Sequence, residues 1–352
     1  MHERTPLVSL IIPSYNAAPY LPALCRSIQA QTFEDFEVLI GDDASTDGTR
    51  QAVEPFLSDR RFQLVRWERN RGVTQGTGLL LDRARGAYWG YPGADDLYEP
   101  AFLRERLAFF EAHPEVGMIH GPPILINEAS VELPLNAETA PMWQLDWPER
   151  QTLGPEETLA RLLQHNLLTT PSLLLRMAAT RRVLPFLGAG FGFAQDWSFW
   201  ILHAATGYDL GFDRRPLHRY RIVGSSLSND PRKLGRRLAE TRLVPLWALS
   251  RAASFSFPAA ELWGRWRKAL YALWLRRAWT LRRMGALDPA WLQVAASAYY
   301  GQQSREVSLG AELLRHAGPI AFASAREERA RRHQRVAVTG LAQIDHPFFR
   351  NA

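Results

Sequence analysis

Three places along the 352-residue chain set carboxylates where they could do chemistry. Asp42 and Asp43 follow the apolar run Glu37 to Ile40 and lead into Ala-Ser-Thr-Asp-Gly. Adjacent carboxylates at a strand end can accept hydrogen bonds from a base and a ribose. The plainer reading is a turn, which Asp and Gly favour anyway, with Asp47 capping the next helix. Asp95 and Asp96 form a second pair, in GADDLYEP over residues 93–100. Two carboxylates pointing into one cleft repel unless a cation joins them. Hard oxygen ligands suit Mg2+ or Mn2+, which can also hold a diphosphate. The alternative is a solvated loop. Asp196 lies in FAQDWSFWIL, residues 193–202, with Phe191, Phe193, Trp197, Phe199 and Trp200 nearby in sequence. At helical spacing most of those rings read as core. An acidic side chain among them must find a partner or do a job, unless it only caps a helix running from Trp197 to Ala205.

The elements that would position these groups alternate. Val8 to Ile12 reads as a buried strand ended by Pro13, followed by a helix to about Ala30. Glu37 to Ile40 is a second strand, and Asp47 precedes a helix reaching about Leu57. Phe62 to Trp67 is a third strand, Thr74 to Ala84 a helix and Ala87 to Tyr91 a strand. Pro100 to Ala112 is a helix and Val116 to His120 a strand. Residues 121–155, rich in Pro, Asn and Glu, read as loop. Pro155, Glu156 and Glu157 then start a helix well, with proline in the first turn and negative charge near the positive end of the dipole. This alternation predicts an α/β fold with a mostly parallel sheet covered on both faces. Ligands of such sheets sit at the carboxyl ends of the strands, where the acidic clusters fall.

Composition narrows the class. A hydrophobic share of 46% and a charged share of 22% are those of a folded chain. The one cysteine, Cys25, excludes an intrachain disulfide and cysteine-cluster metal sites, and points to a reducing cytosol. The amino terminus lacks the pattern of a signal peptide, and no run of about 18 uncharged apolar residues predicts a spanning helix. The net charge of +6 hides an asymmetry. Residues 1–231 carry 21 Lys+Arg against 28 Asp+Glu, or −7, and residues 232–352 carry 21 against 8, or +13. After about Asp230 the pattern turns helical, basic and rich in tryptophan, which sets a boundary there.

Taken in order and spacing, VSLIIPSYN…TFEDFEVLIGDDASTDGT, then ADDLYEP, then QDWSFW resemble the family 2 glycosyltransferases of the GT-A fold, including bacterial enzymes of the spore-coat polysaccharide type. The resemblance covers residues 8 to about 230. It implies an inverting transfer of sugar from a UDP-, GDP- or dTDP-sugar to a glycan or glycolipid hydroxyl, in cell-surface polysaccharide or glycolipid synthesis. It divides the first domain into a nucleotide-sugar half, 1–120, and an acceptor half, 121–230. Carried over by residue, Pro13 and Tyr15 would flank the base. Asp43 would hydrogen-bond that base, with Asp42 behind it. Asp95 would reach the ribose or the metal, Asp96 the metal, and Asp196 would be the catalytic base. The cofactor implied is Mn2+ or Mg2+.

Three departures from the family pattern stand out. Gly93 stands where an acidic residue is common. Thr77 and Gly78 stand where an Arg-Asn pair is usual. Val223 occupies the histidine position of the Tyr-Arg-x-His segment, where His218 or Arg221 could substitute. The acceptor cleft is expected to draw on HNLLTTPSLLLR, residues 165–176.

The tail, 231–352, offers two readings. On a helix, Leu262, Trp266, Leu270, Leu273 and Trp274 share a face, with Arg265, Arg276, Arg282 and Arg283 mostly off it. Such a helix packs on the first domain or on a second subunit, or it lies on an anionic membrane. The second reading would place a cytoplasmic protein peripherally on the inner face of the membrane. Nucleic acid is not expected as a partner, because the first domain is acidic. Among rival functions, a nucleotidyltransferase would want a Gly-rich basic loop after the first strand, and PSYNAAPYL has none. A dinucleotide oxidoreductase would want G-x-G-x-x-G there. A catalytically inactive nucleotide-sugar-binding relative stays open through Gly93 and Val223.

Overall fold

The computed structural model describes residues 5–134, 147–164, 166–187, 194–224 and 244. The boundary near Asp230, the tail reading, and Phe191 and Phe193 lie outside those residues.

The first half is built as the alternation predicts. It runs β1 (Val8–Ser14), α1 (Leu21–Gln29), β2 (Phe36–Asp42), α2 (Thr49–Val53), β3 (Phe62–Arg66), α3 (Val73–Leu81), β4 (Tyr88–Gly90), β5 (Leu97–Tyr98), α4 (Phe102–Ala112) and β6 (Val116–His120). The second half adds β7 (Ile124–Ile126), β8 (Arg150–Leu153), α5 (Pro155–Gln164), β9 (Leu174–Arg176), α6 (Met177–Val183), α7 (Gln195–Ala204), β10 (Asp209–Asp213) and β11 (His218–Arg221). Eight strands form one sheet in the order β3-β2-β1-β4-β9-β6-β10-β8, and β5-β11-β7 form a small second sheet. The β1–β2, β2–β3, β1–β4 and β6–β10 pairs are parallel; β9 runs antiparallel to both β4 and β6, and β8 antiparallel to β10.

Side-chain alternation along the strands divides the core between the two faces. Val8, Leu10 and Ile12 join Leu21, Leu24, Ile28, Phe102 and Phe109 on the face covered by α1 and α4. Ile11 and Leu39 join Leu80, Leu162, Trp197 and Trp200 on the face covered by α3, α5 and α7. Burial on both faces explains why VSLII is an unbroken apolar run rather than an alternating one.

The elements differ from expectation in four places. Residues 121–155 hold two strands, β7 and β8, each of only 3 or 4 residues, too short to show a period against their Pro-rich flanks. The helix after Asp47 is shorter than expected, because the chain tightens into a 3-10 turn at Glu54–Ser58, with Pro55 in its first turn. Gly48, at φ 89°, is the N-cap of α2; Asp47 precedes it and accepts from the Thr49 amide at 3.0 Å. Helix α7 begins at Gln195, so Asp196 sits inside its first turn and Ala194 is the N-cap.

Candidate active site

The first wall is made where β1 and β2 end side by side in parallel register, Ser14 opposite Asp42. The two following loops are stitched together. Asn16 N–H donates to Ser45 Oγ at 2.9 Å, Thr46 N–H to Asn16 Oδ1 at 2.9 Å, and Ala17 N–H to Thr49 Oγ1 at 2.9 Å. Ala18 N–H donates to Asp47 Oδ2 at 3.0 Å. Asn16 and Ala44 are held at φ 51° and 61°. For Ala44 that left-handed conformation costs roughly 1–2 kcal/mol, which the stitched loops must offset.

Asp42 and Asp43 divide the work. Asp42 is buried, accepts from Ser45 N–H at 2.9 Å and pairs with Arg66 at 3.2 Å. Asp43, also buried, receives Arg71 N–H on one oxygen at 2.7 Å and Gly72 N–H on the other at 2.8 Å. It therefore anchors the 70–72 loop, while each oxygen keeps a second lone pair. Tyr15 stands 52% exposed at the lip of this wall. Pro13 is partly buried and faces α3, where a side chain added at Gly76 would come within 3.8 Å of it. Pro13, Tyr15, Asp42 and Asp43 are thus brought to one end of the sheet.

The second acidic pair occupies the loop between β4 and β5. Asp96 is 2% exposed and Asp95 half-buried. Asp96 Oδ1 accepts the Arg221 amide at 2.9 Å. Burial pushes the Asp96 carboxyl well above the ordinary carboxylate range, and the neighbouring Asp95 charge adds to it. Burial raises Asp95 as well. Gly93 is explained here. A Cβ at this position would lie 3.0 Å from Asp95 Oδ1 and in steric conflict with Asp96 Oδ2. The two carboxylates pack against the glycine and occupy the space a longer residue would need.

The pair suits a divalent cation. Burial and mutual repulsion disfavour ionisation of both carboxylates, and a cation would relieve both. Among the described residues no group of three or more His, Cys, Asp or Glu could hold a metal ion. Asp95 and Asp96 would thus supply two oxygens, with diphosphate and water completing the shell. Mg2+ is commonly bound in that way.

The histidine position of the Tyr-Arg-x-His segment is filled by buried Val223. Among the described residues, His218 does not join Asp95 and Asp96 in a group that could hold a metal. It is fully buried with both ring nitrogens unpartnered, and burial holds it neutral, down to about 3.

Asp196 enters from the other half. It is only partly buried by surface area, yet protein atoms crowd its carboxyl. Oδ1 accepts the Trp197 amide at 2.7 Å; Oδ2 accepts Thr170 Oγ1 at 3.2 Å and Asn166 Nδ2 at 3.2 Å. Burial raises its pKa, and those three hydrogen bonds pull against the rise. Asn166 and Thr170 come from the 165–176 segment, whose residue types were legible but whose partner was not. Trp197, Phe199 and Trp200 are buried core behind it.

Tyr91 follows β4 directly. Its hydroxyl lies 3.0 Å from Thr77 Oγ1 on α3. Burial pushes its pKa up to about 12, with the Asp196 charge contributing. Sequence reading did not single out Tyr91. A lone Tyr two residues before the glycine of the acidic loop carries no signal by itself.

Comparison with known proteins bears on the fold. A family model described as Glycosyl transferase family 2 matches residues 9–166. TuaG of Bacillus subtilis (strain 168), named as a teichuronic acid biosynthesis glycosyltransferase, is 37% identical over 105 residues, 30% of this chain and 42% of that protein. An uncharacterized glycosyltransferase of Haemophilus influenzae is 23% identical over 229 residues, 64% of this chain and 69% of that protein. Among solved structures, S. aureus TarS in complex with UDP aligns with a TM-score of 0.59 at 19% identity, covering 83% of this chain and 79% of that one. At that identity the likeness establishes the fold, GT-A, and nothing finer. The matched stretch spans less than half the length of TuaG.

Proposed function

Because the chain belongs to glycosyl transferase family 2, we propose that it transfers a sugar with inversion from a nucleoside diphosphate sugar to a hydroxyl acceptor, with Asp196 as general base. The observation that carries this reading is the placement of Asp196. Its carboxylate is fixed by three hydrogen bonds, is partly open to solvent, and acts electrostatically on Tyr91. Tyr91 follows the strand that runs into Asp95–Asp96. In this reading Asp196 would stand on the acceptor side of the donor sugar, and the Asp95–Asp96 pair on its diphosphate side.

The reaction follows from that layout. The acceptor oxygen attacks the anomeric carbon as its proton passes to Asp196, and the bond to the diphosphate oxygen breaks. A general base of this kind contributes about 10²- to 10⁴-fold. Pro13 and Tyr15 would flank the base of the donor, and Asp43 would hydrogen-bond it while holding the 70–72 loop. Asp42 keeps the loop behind it. Asp95 and Asp96 would hold Mn2+ or Mg2+, which when bound neutralises charge developing on the leaving diphosphate.

The acceptor class is a glycan or glycolipid of the cell surface. TuaG is named for teichuronic acid biosynthesis, which supports that class. No helix among the described residues is long and apolar enough to cross a membrane. We place the protein in the cytoplasm, with the basic tail able to bring it to the inner face of the membrane.

The deciding experiment is a panel of UDP-, GDP- and dTDP-sugars, scored by calorimetric binding with and without Mn2+. One donor should bind in a metal-dependent way, and Asp96→Asn should remove the metal effect. Metal-independent binding of every donor, unchanged by Asp96→Asn, would overturn the metal reading. Binding of no nucleotide sugar at all would overturn the function.

A further inference from the structure

We infer that Arg221 is a positioning residue, a clasp that sets the Asp95–Asp96 loop in the geometry that admits a cation. The inference rests on reading that pair as the metal site. Arg221 ends β11, which pairs with β5 on one side and β7 on the other. Strand β5 begins directly after Asp96, so the clasp stands beside the acidic loop by construction.

The contacts run in both directions from the one side chain. Arg221 Nε donates to the Asp95 carbonyl at 2.6 Å, and its backbone N–H donates to Asp96 Oδ1 at 2.9 Å. Nη1 donates to the Asn127 and Glu128 carbonyls at 2.8 and 3.1 Å and to Ser130 Oγ at 3.0 Å. The guanidinium carbon lies 5.1 Å from the Tyr20 ring centroid. One residue therefore ties the acidic loop to the 127–130 turn and to the segment before α1.

Two features separate this role from ordinary packing. Arg221 is only 3% exposed, yet no carboxylate oxygen among the described residues lies within ion-pair distance of its guanidinium. Its side-chain donors go to carbonyls and a hydroxyl, a pattern that fixes backbone, while its charge also favours the ionised forms of Asp95 and Asp96. Its own amide occupies one Asp96 oxygen, which orients that carboxylate. Val223, two residues on and buried, supplies no ligand. With no third acidic or histidine ligand among the described residues, the position of the two carboxylates must come from such a scaffold. Lysine cannot reproduce it. A single ammonium cannot reach both the Asp95 carbonyl and the 127–130 turn as a planar fork does.

The test uses the full chain with Arg221→Lys and Arg221→Gln. Mn2+ dissociation constants are read by electron paramagnetic resonance in the presence of UDP, GDP or dTDP, and nucleotide affinity is read separately in EDTA. Loss of a charge-assisted hydrogen bond corresponds to about a tenfold change. Both variants should therefore raise the Mn2+ dissociation constant about tenfold or more. Nucleotide affinity in EDTA should stay within about twofold, because it draws on the first wall. A purely structural role would move nucleotide affinity and melting temperature together with the metal constant, and that result overturns the proposal. So does a folded Arg221→Lys protein with wild-type Mn2+ affinity. Should neither variant fold, Ser130→Ala removes one anchor of the clasp, and an unchanged Mn2+ constant there overturns it too. Asp96→Asn is the control. If wild type binds nucleotide but shows no Mn2+ binding that Asp96→Asn removes, the metal reading fails, and this inference with it. If wild type passes that control and only the Arg221 prediction fails, the metal reading stands.

Discussion

Replacing Asp196 by Asn separates a catalytic base from a structural carboxylate, because the local geometry lets most contacts survive. The Asn carbonyl can keep the Trp197 amide, now at 2.7 Å. Thr170 Oγ1, at 3.2 Å, can turn to accept from the new amide instead of donating. The Asn166 amide nitrogen would then face another NH2, so that one bond is lost, at about 1 kcal/mol. Against this, the substitution removes a charge that burial disfavours. A carboxyl whose folded pKa lies above its unfolded value loses stability to the fold as pH rises through that window. At neutral pH the wild-type carboxylate therefore costs stability, and Asn relieves that cost. The melting temperature should change by no more than a few degrees, in either direction.

Transfer should fall by about 10²- to 10⁴-fold, roughly 2.7 to 5.4 kcal/mol in the barrier. Nucleotide-sugar affinity, measured by calorimetry, should stay nearly constant. Transfer is measured as nucleoside diphosphate released when a cell-envelope glycan extract is supplied. A folded Asp196→Asn protein that transfers within about threefold of wild type would refute the assignment. The carboxylate would then serve only the start of α7, where a charge in the first turn is favourable by itself.

Further outcomes follow from the same geometry. Because burial raises the Asp196 pKa and the base acts ionised, kcat/KM should fall with acid at a pH above the unperturbed aspartate value of about 3.9; a profile flat down to pH 4 would contradict this. Gly93→Ala would press a methyl into the space of Asp95 Oδ1 and Asp96 Oδ2. It should weaken Mn2+-dependent donor binding about tenfold while sparing binding in EDTA, and equal loss in both would point to misfolding of the loop. Truncation after Asp230 removes 21 Lys+Arg against 8 Asp+Glu. Co-sedimentation with anionic vesicles should drop in that variant at low salt, and a wild-type chain that ignores such vesicles would favour packing of the tail on protein.

The first half of the fold was legible because its buried strands are mostly apolar runs ended by a polar loop, as in VSLII before Pro13 and FEVLI before Gly41. The short strands were not. Ile124–Ile126 and Arg150–Leu153 owe their existence to partners far away in sequence, β11 and β10, and no local period announces them. The same division holds in the site. Paired carboxylates announce themselves, since the cost of placing them together is visible in the sequence. The groups that hold them do not. Arg221 acts through backbone carbonyls, Asp43 through two backbone amides, and Ala44 through a conformation that no residue type signals. Gly93 is the instructive case. Against the family pattern it is a missing ligand; in three dimensions it is the surface on which Asp95 and Asp96 close together. On the proposed metal reading, affinity for a cation would depend on how that glycine lets the loop close.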